Sequence, residues 1–183
     1  MVKIFLDTEF TGLHQNTTLI SLAMVAESGE EFYAEFNDYD VKQVNVWIKE
    51  HVIGKLELIH ENESFSRTGD TIKIKSNSTK IKKELRDWLQ QFEGIEIWAD
   101  VLAYDWVLFC ELFGGGLSIP ENIFYAPFDL ATFFRVKGII EPVNKFNNDV
   151  SRFEFAGIDR CKQHNALADA RAEMECYKKL ITN

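Results

Sequence analysis

The segment MVKIFLDTEFTGL, residues 1–13, decides how this chain is read. Val2–Leu6 is a short apolar run that stops at Asp7, the pattern of a buried strand reaching the end of a sheet. Side chains two apart on a strand point to the same face, so Asp7 and Glu9 project together. Two neighbouring carboxylates repel each other unless a cation lies between them, and hard oxygen ligands suit Mg²⁺ or Mn²⁺. The plainer alternative is that both acids face water where the strand ends.

Outward from this segment, Thr18–Ala26 reads as a second strand and Glu31–Phe36 as a third. Between them, Glu27-Ser28-Gly29-Glu30 has the character of a hairpin turn. Val41–His51 has helical spacing in Val44, Trp47 and Ile48. Gly54–Asn77 is polar and poorly periodic, and is expected to be a loop or irregular insertion. Lys80–Phe92 is an amphipathic helix with Ile81, Leu85, Trp88, Leu89 and Phe92 on one face and Ser78 or Thr79 as its cap. Ile95–Ala99 is a short strand. Tyr104–Phe113 is a helix ended by Gly114-Gly115-Gly116. A strand is expected at Ile123–Ala126 and a helix at Asp129–Lys137, whereas Val143–Ile158 carries little periodic signal. Asn165–Ile181 is a final helix with Leu167, Ala170, Met174, Tyr177 and Leu180 along its core stripe. A meander followed by alternating helices and strands implies an α/β fold, a mixed sheet flanked by helices.

The length of 183 residues suits one domain, 1–183, with a single sizeable core. Apolar residues at 46% and charged residues at 27% fit a globular chain rather than a disordered one. No apolar run approaches the roughly 20 residues that cross a bilayer, and the N-terminus lacks the features of a signal peptide. Cys110, Cys161 and Cys176 are odd in number and have no metal-like spacing, which points to reduced thiols and a cytoplasmic location. The net charge of −9 argues against nucleic acid as a partner. That argument weakens if several acids form a metal site, because bound ions reverse the local field.

Two further stretches carry acids in informative places. Tyr104-Asp105 opens a helix, where the macrodipole favours an aspartate for purely structural reasons. Asp100, five residues earlier, competes for any role at the end of the Ile95–Ala99 strand. Asp105 is preferred, because Val107, Leu108 and Leu112 set it at the helix start above a buried stripe. In His164-Asn165-Ala166-Leu167-Ala168-Asp169, the aspartate interrupts a small apolar run and needs a partner or a metal. If both His164 and Asp169 were helical, they would lie about 140° apart. They can serve one site only if His164 stands outside the regular helix and turns back over Asp169.

DTEFTGL, AYDWVLFCEL and HNALADAR together resemble the three motifs of the DnaQ-like DEDDh exonucleases, with Asp7, Glu9, Asp105, His164 and Asp169 filling the five defining positions. The stretch LISLAMVAESGEEFYAEF further resembles a small bacterial and phage branch of 3′–5′ exoribonucleases related to ribonuclease T. Many relatives carry asparagine four residues before the second-motif aspartate, and here that position is Val101. The resemblance implies an RNase H-like fold and hydrolysis from the 3′ end with release of nucleoside 5′-monophosphates. It implies two divalent ions, Mg²⁺ or Mn²⁺, held by Asp7, Glu9, Asp105 and Asp169, with His164 as general base. It also implies substrate contacts from Phe10, Thr11, Gly12 and Leu13, with Trp106 as a stacking candidate. Phe10 and Trp106 could equally belong to the core. The expected partner is single-stranded or 3′-overhang RNA, with DNA as the alternative, and a homodimer is expected by resemblance alone. A non-catalytic nucleic-acid-binding module is a third reading, which the intact set of five residues disfavours. Lys73, Lys75, Lys80, Lys82 and Lys83 either hold phosphates of the strand or form a solvated face.

Overall fold

A computed structural model of the protein describes residues 1–139 and 151–182. Seven strands form one mixed sheet: β1 (Val2–Phe10), β2 (Leu19–Ala26), β3 (Glu31–Phe36), β4 (Ser64–Thr68), β5 (Thr71–Ser76), β6 (Ile95–Ala99) and β7 (Phe128–Asp129). Their spatial order is β4-β5-β3-β2-β1-β6-β7. The β1–β2, β2–β3 and β4–β5 pairs are antiparallel, and β3–β5, β1–β6 and β6–β7 are parallel. The helices are α1 (Val46–His51), α2 (Ser78–Leu89), α3 (Ala103–Phe113), α4 (Leu130–Val136), α5 (Arg152–Ala156) and α6 (Ala166–Thr182). This is the α/β arrangement that the sequence pattern implies, and it is the RNase H-like fold that the resemblance implies.

The alternation of β1 distributes its side chains between two cores. Ile4 and Leu6 face α2 and α3, against Ile81, Leu85, Phe109 and Phe113. Phe5 faces the other way, against Leu130 and Phe134 of α4 and Ala172, Cys176 and Leu180 of α6. Continuing the period of two, Asp7 and Glu9 emerge on the α6 side and Thr8 on the α3 side. Ala166, Ala168, Ala170 and Ala172 are all buried. These small side chains let α6 lie close against β1 and β2, so the acid within it is brought down onto the sheet.

The described chain departs from the sequence reading in several places. Gly54–Asn77 is irregular only over residues 56–63, because its second half holds the hairpin β4–β5. The buried positions Ile72, Ile74 and Ser76 alternate along β5, but four of the five β4 residues are exposed, which hides the period of that strand. The turn falls on Gly69, whose φ of 58° suits a residue without Cβ. The helix expected over Val41–His51 is split into a 3₁₀ turn at Val41–Gln43 and the short α1, because Asn45 caps the latter through the Ile48 N–H. Asn77, rather than Ser78 or Thr79, caps α2. Ser78 instead donates to Asp38. The strand expected at Ile123–Ala126 is reduced to a single bridge between Ile123 and Ile95, and β7 follows it. Half of Val143–Ile158, residues 143–150, lies outside the described residues. Its C-terminal part forms α5.

Ile74 is fully buried at the centre of β5. Replacing it by alanine is expected to cost about 2–5 kcal/mol. The check is a urea titration in which the midpoint falls while the slope stays constant. A midpoint shift below about a tenth of that range would mean that the hairpin is dispensable to the core.

Candidate active site and metal centre

Three acids meet at the C-terminal end of β1. One carboxylate oxygen each from Asp7, Glu9 and Asp169 lie within 4.8 Å of one another. Burial pushes all three upward, most strongly Asp7, whose environment also includes the charges of Asp169, Asp105, Glu173 and Glu9. Glu9 is pushed up to about 8 and Asp169 to about 7, again chiefly by burial. Asp7 Oδ2 and Asp169 Oδ2 are buried and accept no hydrogen bond. Orphaned carboxylate oxygens in mutual repulsion cost free energy that a divalent cation would recover. The donor set is all oxygen and suits a hard ion, so the residues present fit a Mg²⁺ or Mn²⁺ site.

Asp105 reaches the same end of β1 from the opposite face. Its Oδ1 accepts from the Thr8 N–H at 2.9 Å and the Thr8 hydroxyl at 2.6 Å. Burial raises its carboxyl to about 6, against the lowering effect of the Thr8 hydrogen bonds. Thr8 was not singled out from the sequence, although its place between Asp7 and Glu9 marks it as the residue facing α3. Asp100, the competing acid, is engaged elsewhere, in an ion pair with Arg152 at 2.8 Å.

His164 stands outside α6, two residues before its start, with φ at 68°. This is the departure from helical geometry that the five-residue spacing to Asp169 requires. Asn165 starts the helix by accepting the Ala168 N–H at 3.1 Å and donates to the Lys55 carbonyl at 2.9 Å. The imidazole Nδ1 lies 3.9 Å from Glu9 Oε1. Burial, with the nearby His51 and Lys55 charges, lowers the His164 imidazole below its usual range. Its ring meets the edge of Trp47 at 5.2 Å, and Trp47 stacks on His51 at 4.8 Å. The sequence reading placed Trp47 on the packing face of a helix. It is instead 51% exposed beside His164. A Trp–His pair at i, i+4 on a short helix was the available signal, and it is a weak one.

The residues named as substrate contacts divide into distinct groups. Phe10 stacks on Tyr104 at 5.2 Å. Tyr104, Val107 and Leu108 of α3 face His14, Asn16 and Thr17 across a cleft of about 650 Å³. Leu13 is exposed at 78%. Thr11 is buried in a hydroxyl network with Thr17, Thr18 and Gln43, so it shapes the loop from inside. A Cβ at Gly12 would lie 3.0 Å from the His14 ring, so glycine there lets His14 fold back over the loop. Trp106 is partly buried, packing against the α2–α3 core and stacking on Phe109 at 5.7 Å, an arrangement that favours the core alternative. Of the five lysines, Lys73, Lys75, Lys80 and Lys83 each lie within 4 Å of a carboxylate. That arrangement favours an ion-paired face for Lys73, Lys80 and Lys83, whereas Lys75 is largely buried against Glu35.

The model of the 3′-5′ exoribonuclease Rv2179c-like domain matches residues 2–181. The chain belongs to this exoribonuclease family. Two curated 3′-5′ exoribonucleases of Mycobacterium tuberculosis, one from strain CDC 1551 / Oshkosh and Rv2179c from strain ATCC 25618 / H37Rv, are each 30% identical over 190 residues. The alignment covers 100% of this chain and 94% of each relative. Within the Rv2179c-like frame, motifs far apart in sequence converge on the end of β1. No helix among the described residues is long and apolar enough to cross a membrane.

The raised carboxyls make a prediction about stability in the absence of metal. Folded values near 6, 7 and 8 for Asp105, Asp169 and Glu9 exceed those of an unfolded chain. Their contribution is therefore fully present below the unfolded values and is lost as pH rises through the folded ones. The thermal midpoint of the metal-free protein is expected to fall between about pH 5 and pH 8. Excess Mg²⁺ or Mn²⁺ should remove most of that fall. A midpoint in chelator that is level across this window would contradict the burial argument.

Proposed function

We propose that this chain is a single-domain 3′–5′ exoribonuclease that releases nucleoside 5′-monophosphates from single-stranded or 3′-overhang RNA in the cytosol, and that it works with two divalent ions, Mg²⁺ or Mn²⁺. The observation that carries this reading is the meeting of Asp7, Glu9, Asp169 and His164 at one point, with Asp105 behind it, in a chain of this family. Asp7, Glu9 and Asp169 would hold the ions, joined by Asp105 from the α3 side. When bound, the ions supply Lewis acidity for activation of the attacking water and for stabilisation of the leaving 3′ oxygen.

The chain's own residues supply the rest. His164, held neutral by its burial, takes the proton of the attacking water as general base. Phe10 on Tyr104 forms one aromatic wall by the entrance and Trp47 on His51 another, and both offer faces to nucleobases. Leu13 presents an exposed apolar side chain on the loop that follows Glu9. Cys110, Cys161 and Cys176 are free thiols, the first and last of them buried, which suits a reducing compartment.

Digestion of a 3′-overhang RNA and the matched DNA with Mg²⁺ and with Mn²⁺ tests the reading. The expected products are mononucleotides and a ladder shortening from the 3′ end, with RNA consumed faster. Faster consumption of the DNA would assign the chain to deoxyribonucleotide substrates. Binding of RNA without turnover under either ion would leave a non-catalytic module.

A further inference from the structure

Among the described residues, two non-glycine residues have φ in the left-handed region, His164 at 68° and Val101 at 54°. Both border the acid cluster. For a β-branched residue this conformation is a genuine outlier, and it persists only where its surroundings over-determine it. Val101 is 66% exposed, so the packing of its own side chain does not hold it there.

Its backbone surroundings do. The Asp100 N–H donates to Glu173 Oε1 of α6 at 3.0 Å. The Val101 N–H donates to Asp129 Oδ1, at the end of β7, at 3.1 Å. Arg152 of α5 forks onto the Asp100 carboxylate, with Nε to Oδ2 and Nη2 to Oδ1 both at 2.8 Å. Three separate elements thus grip two successive residues. The turn they grip runs directly into α3, whose third residue is Asp105. The core packing of Phe109 and Phe113 fixes the body of α3, but no side chain caps its start, so the turn sets how its first residues, Asp105 among them, meet β1. Glu173 is buried at 3% exposure and its Oε2 accepts no hydrogen bond. A carboxyl in that position is costly unless its other oxygen has a task.

We propose that Glu173, Asp129 and Arg152 form a clamp on the β6–α3 turn that holds Val101 in its strained conformation and thereby sets Asp105 against Thr8 beside the other acids. The three are positioning residues, and the proposal rests on the reading of Asp105 as an acid of the active site. The strain gives the clamp a distinctive signature. If the clamp works against the preference of Val101, then a residue that accepts the left-handed region should make the clamp less necessary. Asparagine is such a residue.

The experiment measures kcat and KM on an RNA oligonucleotide at saturating Mn²⁺ for E173Q, E173M, V101N, the double variant E173M/V101N and D105N. E173M is expected to lower kcat by roughly 10–100-fold with KM within about twofold, as a misplaced group does. E173Q keeps an oxygen to accept the Asp100 N–H and should stay within a few-fold of the parent. V101N alone should match the parent, and E173M/V101N should recover at least about fivefold over E173M. If E173M does not fold, R152Q replaces it, alone and with V101N, and the same recovery is read. Undiminished kcat in E173M, or no recovery in the double variant, overturns the clamp. Full activity in D105N is a different failure, because it removes the role of Asp105 on which the clamp depends.

Discussion

Replacing Asp7 by asparagine is expected to abolish cleavage and at the same time to stabilise the metal-free protein. The two effects have one cause. Asp7 lies in the densest part of the acid cluster, where burial and four neighbouring carboxyls oppose its charge. An amide of the same shape removes that opposition, and it also removes an anionic ligand from between Glu9 and Asp169. The loss of turnover should be on the order of a thousandfold or more, since on the proposed mechanism the ions would carry most of the transition-state charge. In chelator at about pH 8, the thermal midpoint should rise by at least about 3 °C, using the usual 2–4 °C per kcal/mol for a domain of this size. The difference should shrink at about pH 5, where the parent's cluster is largely protonated. Turnover near that of the parent would remove Asp7 from the ion site. Lost turnover with a lowered midpoint in chelator would mean that Asp7 makes a structural contact rather than part of a repulsive cluster.

How much of this was legible in the sequence depends on how locally each feature is encoded. The two carboxylates of β1 follow from strand alternation alone, and so does the separation of Thr8 onto the other face. The end of α3 is likewise local, since Gly114 takes φ of 96° there. The β4–β5 hairpin was missed because an edge strand buries little and so shows little period. Only the Ile72 and Ile74 alternation of β5 betrayed it. The neighbourhood of His164 was also hidden. Trp47, His51 and Lys55 come from a segment more than a hundred residues away, and they reach His164 through tertiary contacts such as Asn165 to the Lys55 carbonyl. The clamp on Val101 was hidden for the same reason. Its members Asp129, Arg152 and Glu173 have ordinary helix-cap, ion-pair and helix-interior readings when taken one at a time.

The net charge of −9, which at first argues against an RNA partner, acquires a local explanation. Part of it is concentrated in the cluster at the end of β1, where divalent ions would invert the field seen by a phosphate. The lysines that might have served phosphates are largely occupied with Glu57, Glu35, Glu63 and Asp87. On the proposed reading, affinity for the strand would rest on the ion site and the aromatic walls rather than on a basic surface. A shallow salt dependence of binding follows, since few counterions are released.

Replacing His164 by alanine is expected to lower kcat by roughly 10²–10⁴-fold, the usual worth of a positioned general base. Metal affinity should stay close to that of the parent if the acids hold the ions as proposed, because the imidazole Nδ1 lies 3.9 Å from Glu9 Oε1 and outside the carboxylate cluster. The pH profile separates this reading from a structural one. Burial, His51 and Lys55 all disfavour the imidazolium, so the neutral base persists below the ordinary value near ~6.5. In the parent at saturating Mn²⁺, the acid limb of kcat should therefore lie below that value and follow one proton. Removing the His51 charge as H51Q withdraws one of the groups that lowers it, so the limb should move back toward ~6.5. H164A should lose the limb and keep a small rate that climbs with pH as hydroxide takes over the role of the base. An H164A variant with full rate and an unchanged acid limb would assign the proton transfer to another group. One that binds Mn²⁺ far more weakly would make His164 a ligand instead of a base.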